Sequence, residues 1–283
     1  MLSDVRLIAL DMDGTLLSSD HHTIPQGNVD AIREADAEGI RVCICTGRMI
    51  EDAGDFVRRL GLPCMIIGAD GARACDAPLP EGNMLLSRSF SPEDAQAVLD
   101  IALAHPVMVN VFEDGLVSTV LGPGGSKYHL VARALIDDVY GEEKLREAAA
   151  RGASKIYIVD DHPDRDIGKA SLDTIRREIT QRLAHLQVSS SDPTNIEVTP
   201  PDVNKGTALA ALAAQLGLTA QSVMAMGDAL NDEPMLRFAV HSVAMANADP
   251  RIKAICRHET ESNDACGVAK MIRRVIAAHR ARS

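Results

Sequence analysis

The sequence predicts an α/β protein with a mainly parallel sheet and an inserted α+β segment. Three observations carry that prediction. In the first 70 residues, short apolar runs of the kind buried on both faces of a parallel sheet alternate with helix-period segments. Near Pro78 the alternation gives way to Pro, Gly and Asn followed by strand-next-to-strand patterns. After Pro200-Pro201 the alternation returns.

The first apolar run, Val5 to Leu10, stops at Asp11. Pro25 opens a helical pattern with Val29 and Ile32 on one face, ending at Gly39, and Ile40 to Cys45 is a second strand ending at Thr46. A helix from about Glu51 to Leu60 stops before Gly61 and Pro63, and Cys64 to Ile67 supplies a third strand. In the insert, Val107 to Phe112 and Leu116 to Val120 flank Glu113-Asp114-Gly115 as a hairpin. Helices are expected at Tyr128 to Val139 and Leu172 to Leu186, with a strand at Lys155 to Val159 between them. Gln187 to Ser190 and Ile196 to Thr199 then bracket an Asp-Pro-Thr-Asn turn. The returning alternation reads as helix Lys205 to Leu216, strand Ser222 to Met226, helix Asn231 to Phe238, strand Ser242 to Met245 and a closing helix from about Val268. Its basic tail (Arg273, Arg274, Arg280, Arg282) reads as a solvated helix end. These patterns place one domain at 1–85 plus 199–283 and a second at 86–198.

Composition narrows the function. The 283 residues are 46% apolar but only 2% aromatic, so the core is aliphatic and few rings are on hand to stack a nucleobase. Forty acidic residues against 29 basic ones give a charge of -11, which disfavours a nucleic-acid partner. The N-terminus has no basic-then-apolar leader, and the apolar region Thr207 to Gly227 is broken by Gln215, Gly217 and Gln221; a soluble, cytoplasmic protein without a membrane partner is expected. The six cysteines show no zinc spacing and are expected as buried thiols, Cys43 and Cys45 on one face of a strand.

Four local signals carry chemistry. Asp11 and Asp13, in Asp-Met-Asp-Gly-Thr, sit where the first strand ends, and ligands of open α/β sheets bind beyond the carboxyl ends of strands. Alone, such a segment also suits an Asx turn. Thr46 and Gly47, in Cys-Thr-Gly-Arg, end the second strand, where a hydroxyl and an amide can reach phosphate oxygens; a turn-capping Thr is the plain alternative. Lys205 opens a helix, where the dipole disfavours a cation unless an anion lies near, although a solvent-facing lysine also fits. Asp228, Asn231 and Asp232, in Gly-Asp-Ala-Leu-Asn-Asp, follow a third strand and also suit a helix cap. Together, on one edge of one sheet, the four supply what phosphoryl transfer needs: nucleophile, phosphate donors, cation and metal ligand.

In that order these motifs resemble those of the haloacid dehalogenase superfamily. Asn204-Lys205-Gly206, Asp232-Glu-Pro-Met235, Val243-Ala-Met245-Ala-Asn247-Ala and Gly267-Val-Ala are similar to its Cof-like, type-IIB branch, and the resemblance spans nearly the whole chain. It implies a Rossmann-like core with a mobile α/β cap of type 2B, and a magnesium-dependent phosphatase acting on small phosphorylated metabolites, with sugar phosphates or phosphorylated cofactors as substrates. It also implies roles. Asp11 would attack phosphorus, and Asp13 would serve as acid and then base, which needs its pKa raised from about 3.9 toward neutrality. Magnesium would bind the Asp11 and Asp228 carboxylates and the Asp13 carbonyl oxygen. Lys205, Thr46, Gly47 and Asn231 would hold the phosphoryl group, with Asp232 orienting Lys205.

The chain departs from that branch at Asp70, where Asn is usual, at Ala246 and at Ala265-Cys266; Asp70 either reaches the metal shell or faces solvent. Glu113, Lys127, His129, Lys155 and Asp160 are the insert's candidate specificity residues, each read as a surface position. Three rival readings remain. A receiver-like signalling domain is half this length and lacks an acid/base. A phosphomutase would share the aspartyl-phosphate but release an isomer rather than phosphate. A non-catalytic binder of phosphometabolites would have no use for Asp13 and Asp228.

Overall fold

The computed structural model describes residues 1–113, 116–121, 141–160, 162 and 164–282. In chain order the first elements are β1 (Leu7–Leu10), α1 (Gln26–Ala37), β2 (Arg41–Cys45), α2 (Ile50–Leu60), β3 (Cys64–Gly68), β4 (Arg73–Cys75) and β5 (Met84–Ser87). There follow α3 (Pro92–Ala102), β6 (Met108–Glu113), β7 (Leu116–Leu121), α4 (Glu142–Gly152), β8 (Lys155–Val159), α5 (Arg165–Arg182), β9 (Gln187–Ser189) and β10 (Asn195–Thr199). The chain closes with α6 (Lys205–Gln215), β11 (Val223–Gly227), α7 (Glu233–Phe238), β12 (His241–Ala244), α8 (Pro250–Ile255), β13 (His258–Glu259) and α9 (Gly267–Arg280). These form two compact units, Met1–Leu86 with Asn204–Ser283, and Ser87–Val203.

The first unit carries an eight-stranded sheet in the order β13-β12-β11-β1-β2-β3-β4-β5. From β13 to β3 the neighbours are parallel, and β3 to β4 is antiparallel. Every residue of β1 is fully buried, as a central strand covered on both faces must be. Each of Leu7, Ile8 and Leu10 contributes about 1.5–3 kcal/mol by that burial. Cys43, Cys45, Cys64 and Cys75 are buried in this sheet, with the Cys43 and Cys45 sulfurs 3.9 Å apart. Cys256 and Cys266 are only half-buried, because one follows α8 and the other caps α9. The arginine tail is solvent-exposed as expected, and its side chains form surface ion pairs: Arg273 and Arg280 of α9 with Glu34 and Glu38 at the end of α1, and Arg282 with Asp4.

The second unit is an antiparallel sheet in the order β7-β6-β8-β10-β9. Val109, Val111, Ile156, Ile158, Ile196 and Val198 alternate along their strands and bury against α3, α4 and α5. The expected hairpin pairs β6 with β7, while its turn residues Asp114 and Gly115 lie outside the described residues. So do the helix read at Tyr128 to Val139 and the candidates Lys127 and His129. Helix α5 begins at Arg165, seven residues before the expected Leu172, because Asp164 caps it by accepting the amides of Asp166 and Ile167. Lys155 and Asp160 are not surface residues. Lys155 is buried because Glu197 pairs with it at 3.0 Å and its ammonium lies over the Phe112 and Tyr157 rings. Asp160 is buried and accepts the His162 amide. Glu113 pairs with Arg151.

Candidate active site

The ends of β1, β2, β3 and β11 and the start of α6 bring the four sequence signals together within the first unit. Asp11 follows β1 and is 5% exposed. Its Oδ1 accepts a hydrogen bond from Lys205 Nζ at 2.6 Å, and Asp232 Oδ1 accepts a second from the same ammonium at 2.6 Å. Lys205 is fully buried at the first position of α6, where the Asn204 side chain caps the helix by accepting the Thr207 amide at 2.9 Å. The dipole penalty on a cation there is offset by the two carboxylates. Burial alone would lower the Lys205 pKa, but Asp11, Asp232 and Asp70 push it well above the usual lysine value, so it stays charged.

Asp232 is held from its other oxygen as well, since its Oδ2 accepts the amides of Asp228 and Ala229 at 2.9 and 3.1 Å. The close approach requires Gly227, whose place a Cβ would fill at 2.6 Å from Asp232 Oδ2. Asp228 Oδ1 accepts the Thr15 hydroxyl at 2.8 Å. Gly14, at φ +78°, closes the loop after Asp11 over Asp228; a Cβ there would lie 2.3 Å from Asp228 Oδ2. Asn247 holds that loop from outside by donating to the Gly14 carbonyl at 2.8 Å.

Carboxylate oxygens of Asp11, Asp228 and Asp232 lie within 4.8 Å of one another. Burial and the neighbouring carboxylates push Asp11 well up, and the same causes push Asp228 up to about 7, only partly countered by Lys205 and Thr15. A hard divalent cation with a preference for oxygen ligands fits such a group. Asp232 accepts three hydrogen bonds, from Lys205 and two amides, whereas Asp11 and Asp228 each accept one from a side chain, so these two carboxylates are the freer to hold it.

Asp13 departs from expectation. Its carboxylate is gripped by the Arg48 guanidinium, Nε to Oδ2 at 2.7 Å and Nη2 to Oδ1 at 2.6 Å, and His21 Nδ1 lies 3.2 Å from Oδ1. Burial alone would raise its pKa, but Arg48, helped by His21, holds it below the usual carboxylate range rather than near neutrality. The Asp13 carboxylate is thereby committed to Arg48 and His21, although its charge still acts on Asp228. Arg48 is fixed in turn by Asp52 at 3.1 Å and by the His21 carbonyl, with its guanidinium over Phe56.

Thr46 is buried after β2; its Oγ1 accepts the Arg48 amide at 3.1 Å, which leaves its hydroxyl proton to donate elsewhere, and Gly47 lies between them. Asn231 and Asp70 are both buried, and Asn231 Nδ2 donates to Asp70 Oδ1 at 3.1 Å. The solvent-facing reading of Asp70 is therefore wrong. Ala69 and Asp70 take left-handed φ values, +48° and +52°, on a turn where the Ala69 amide bonds the Arg48 carbonyl and the Asp70 amide bonds that of Thr46. The pattern Thr-Gly-Arg contained Arg48, but nothing in the sequence tied it to Asp13. Asp70, Thr15 and Asn247 likewise acquire their partners only through the fold.

The sequence pattern of the haloacid dehalogenase-like hydrolases matches residues 8–272, and the chain belongs to that family. It is 32% identical over 273 residues, 95% of each chain, to the 5-amino-6-(5-phospho-D-ribitylamino)uracil phosphatase YcsE of Bacillus subtilis. It is 33% identical over 256 residues, 89% of this chain and 88% of the other, to the HMP-PP phosphatase of Cronobacter sakazakii. A solved haloacid dehalogenase-like hydrolase from B. subtilis superposes with a TM-score of 0.80 at 27% identity, covering 95% of this chain and 99% of that one. The protein is thus a Cof-like phosphoric monoester hydrolase, with a mostly parallel core and a separate antiparallel, cap-like sheet. Among the described residues no helix is long and apolar enough to cross a membrane.

Proposed function

We propose that the protein hydrolyses small phosphorylated metabolites, sugar phosphates or phosphorylated cofactors, in a magnesium-dependent reaction through a phosphoryl group carried on Asp11. The observation that carries this reading is the buried chain Asp11–Lys205–Asp232 beside Asp228. Lys205 fixes one oxygen of Asp11 and leaves the other to attack phosphorus. When bound by Asp11, Asp228 and the Asp13 carbonyl, magnesium supplies charge neutralisation that lets an anionic nucleophile meet an anionic substrate.

The chain's own groups then divide the work. Lys205, the Thr46 hydroxyl, the Gly47 amide and the Asn231 amide hold the transferred phosphoryl oxygens, and Asp232 keeps Lys205 aimed. Asp13, ionised against Arg48, is suited to take a proton from the water that attacks phospho-Asp11. For Asp13 to give a proton to the leaving oxygen in the first half, the Arg48 pair has to open, because a carboxylate held by a guanidinium has no proton to donate. The two relatives named as phosphatases of a ribitylamino-uracil phosphate and of HMP-PP support a phosphorylated metabolite as the substrate class.

Phosphate release from a panel of sugar phosphates, nucleotides and phosphorylated cofactors, with and without magnesium, tests the reading. Hydrolysis that requires magnesium and falls by at least about a thousandfold in Asp11→Asn is expected. Full activity in that variant, or release of an isomeric sugar phosphate in place of phosphate, would overturn it.

A further inference from the structure

We propose that Asp70 is a positioning residue of the phosphoryl site: it aims the Asn231 carboxamide and, through its charge, weakens the grip on phosphate. The inference rests on the phosphatase reading above and extends it to a residue outside the four motifs.

The turn Ala69–Gly71 is wedged between two parts of the site. Its amides reach back to the carbonyls of Thr46 and Arg48. On its other side, a Cβ on Gly71 would lie 2.3 Å from the Asn204 carbonyl oxygen and 3.1 Å from the Lys205 amide. This packing fixes Asp70 in a left-handed conformation, 3% exposed. From there its Oδ1 accepts one proton of Asn231 Nδ2 at 3.1 Å, which sets the amide's orientation and leaves its second N–H for a ligand. The same carboxylate contributes to the field that keeps Lys205 charged, alongside Asp11 and Asp232. A phosphate oxygen bound by the second N–H of Asn231 would therefore sit within one residue's length of a buried anion. Asp70 gives geometry at the expense of affinity, an arrangement that favours release of product phosphate.

Two substitutions separate charge from aim. Asp70→Asn keeps an acceptor oxygen for Asn231, tolerates the left-handed backbone and removes the charge. Asp70→Gly also tolerates that backbone but removes the acceptor as well. The magnesium-loaded protein is titrated with inorganic phosphate by calorimetry, and KM and kcat are measured on a phosphate monoester that the wild type hydrolyses. Asp70→Asn is expected to bind phosphate at least about threefold tighter and to change KM more than kcat, since like-charge repulsion is removed from bound substrate and transition state together. Asp70→Gly is expected to lose at least about tenfold in kcat/KM relative to Asp70→Asn, because Asn231 is no longer aimed. Unchanged phosphate affinity in Asp70→Asn overturns the charge effect, and equal kcat/KM in the two variants overturns the aiming role, in both cases with the Asp11-dependent activity intact. A wild type that neither binds phosphate nor loses activity as Asp11→Asn defeats the underlying reading instead, and the role of Asp70 with it.

Discussion

Lys205 lies out of reach of solvent with a carboxylate oxygen 2.6 Å away on either side, so its value to the molecule is the charge it balances. Breaking a buried ion pair from one end leaves the other end unpaired, at about 3–5 kcal/mol. Lys205→Met should therefore lower the unfolding free energy of the metal-free protein by about that amount, and magnesium should restore part of it by bringing a replacement cation to Asp11 and Asp228. Chemical denaturation with and without magnesium checks this; a loss below about 1 kcal/mol would show that the pair is not balanced as described. At this scale the sequence was most readable where strand ends and helix starts announce themselves, as at Asp11, Thr46, Lys205 and Asp228. It was least readable where one side chain meets another far away in the chain. Arg48 keeps Asp13 ionised where a raised pKa was expected, and Asp70 turns inward to Asn231, because close packing of two loops decides both contacts and neither leaves a periodic trace.

Among elements, the strands of the parallel sheet were legible because burial on both faces demands unbroken apolar runs. The starts of α5 and α7 were not. The turn at Leu230–Asp232 precedes α7, which begins only at Glu233 with Pro234 in its first turn, so Asn231 and Asp232 stay outside the helix, free to serve the site. Short β13 was invisible in sequence but places His258 beside His241 of β12, with stacked rings 6.3 Å between centroids and one ring nitrogen on each without a hydrogen bond. Burial, the N-terminal amine, His258 and Arg257 lower the His241 pKa, with Asp4 opposing; burial, Arg274 and Arg257 lower that of His258. The folded state therefore binds fewer imidazole protons than the unfolded chain, so this contribution to stability is present above the ordinary histidine range and is lost as pH falls through it. Between about pH 7.5 and about pH 5.5 the wild type should lose more in Tm than His241→Gln does. Equal losses would mean that the pair is insensitive to protonation.

For the whole molecule, division of labour follows the two units. Every residue assigned to the phosphoryl chemistry lies in the first unit, at the ends of its central strands, of which β1 and β11 are buried along their whole length, or at the start of α6. The second unit has a separate aliphatic core and, on the other side of its sheet, a polar set in which Lys155 pairs with Glu197 and Tyr157 accepts from Asn195. Its existence was legible in the change of texture near Pro78, whereas its buried ion pair was not, because charged residues in a sequence read as surface.

The central claim is that Asp11 carries the phosphoryl group, and trapping that species tests it most directly. Acid quenching during turnover, with magnesium present, followed by mass spectrometry of the peptide that contains Asp11, should show the added phosphoryl mass on Asp11 in the wild type and none in Asp11→Asn. A phosphoryl group found on another residue, or an Asp11→Asn enzyme that still turns over at the wild-type rate, would contradict the account.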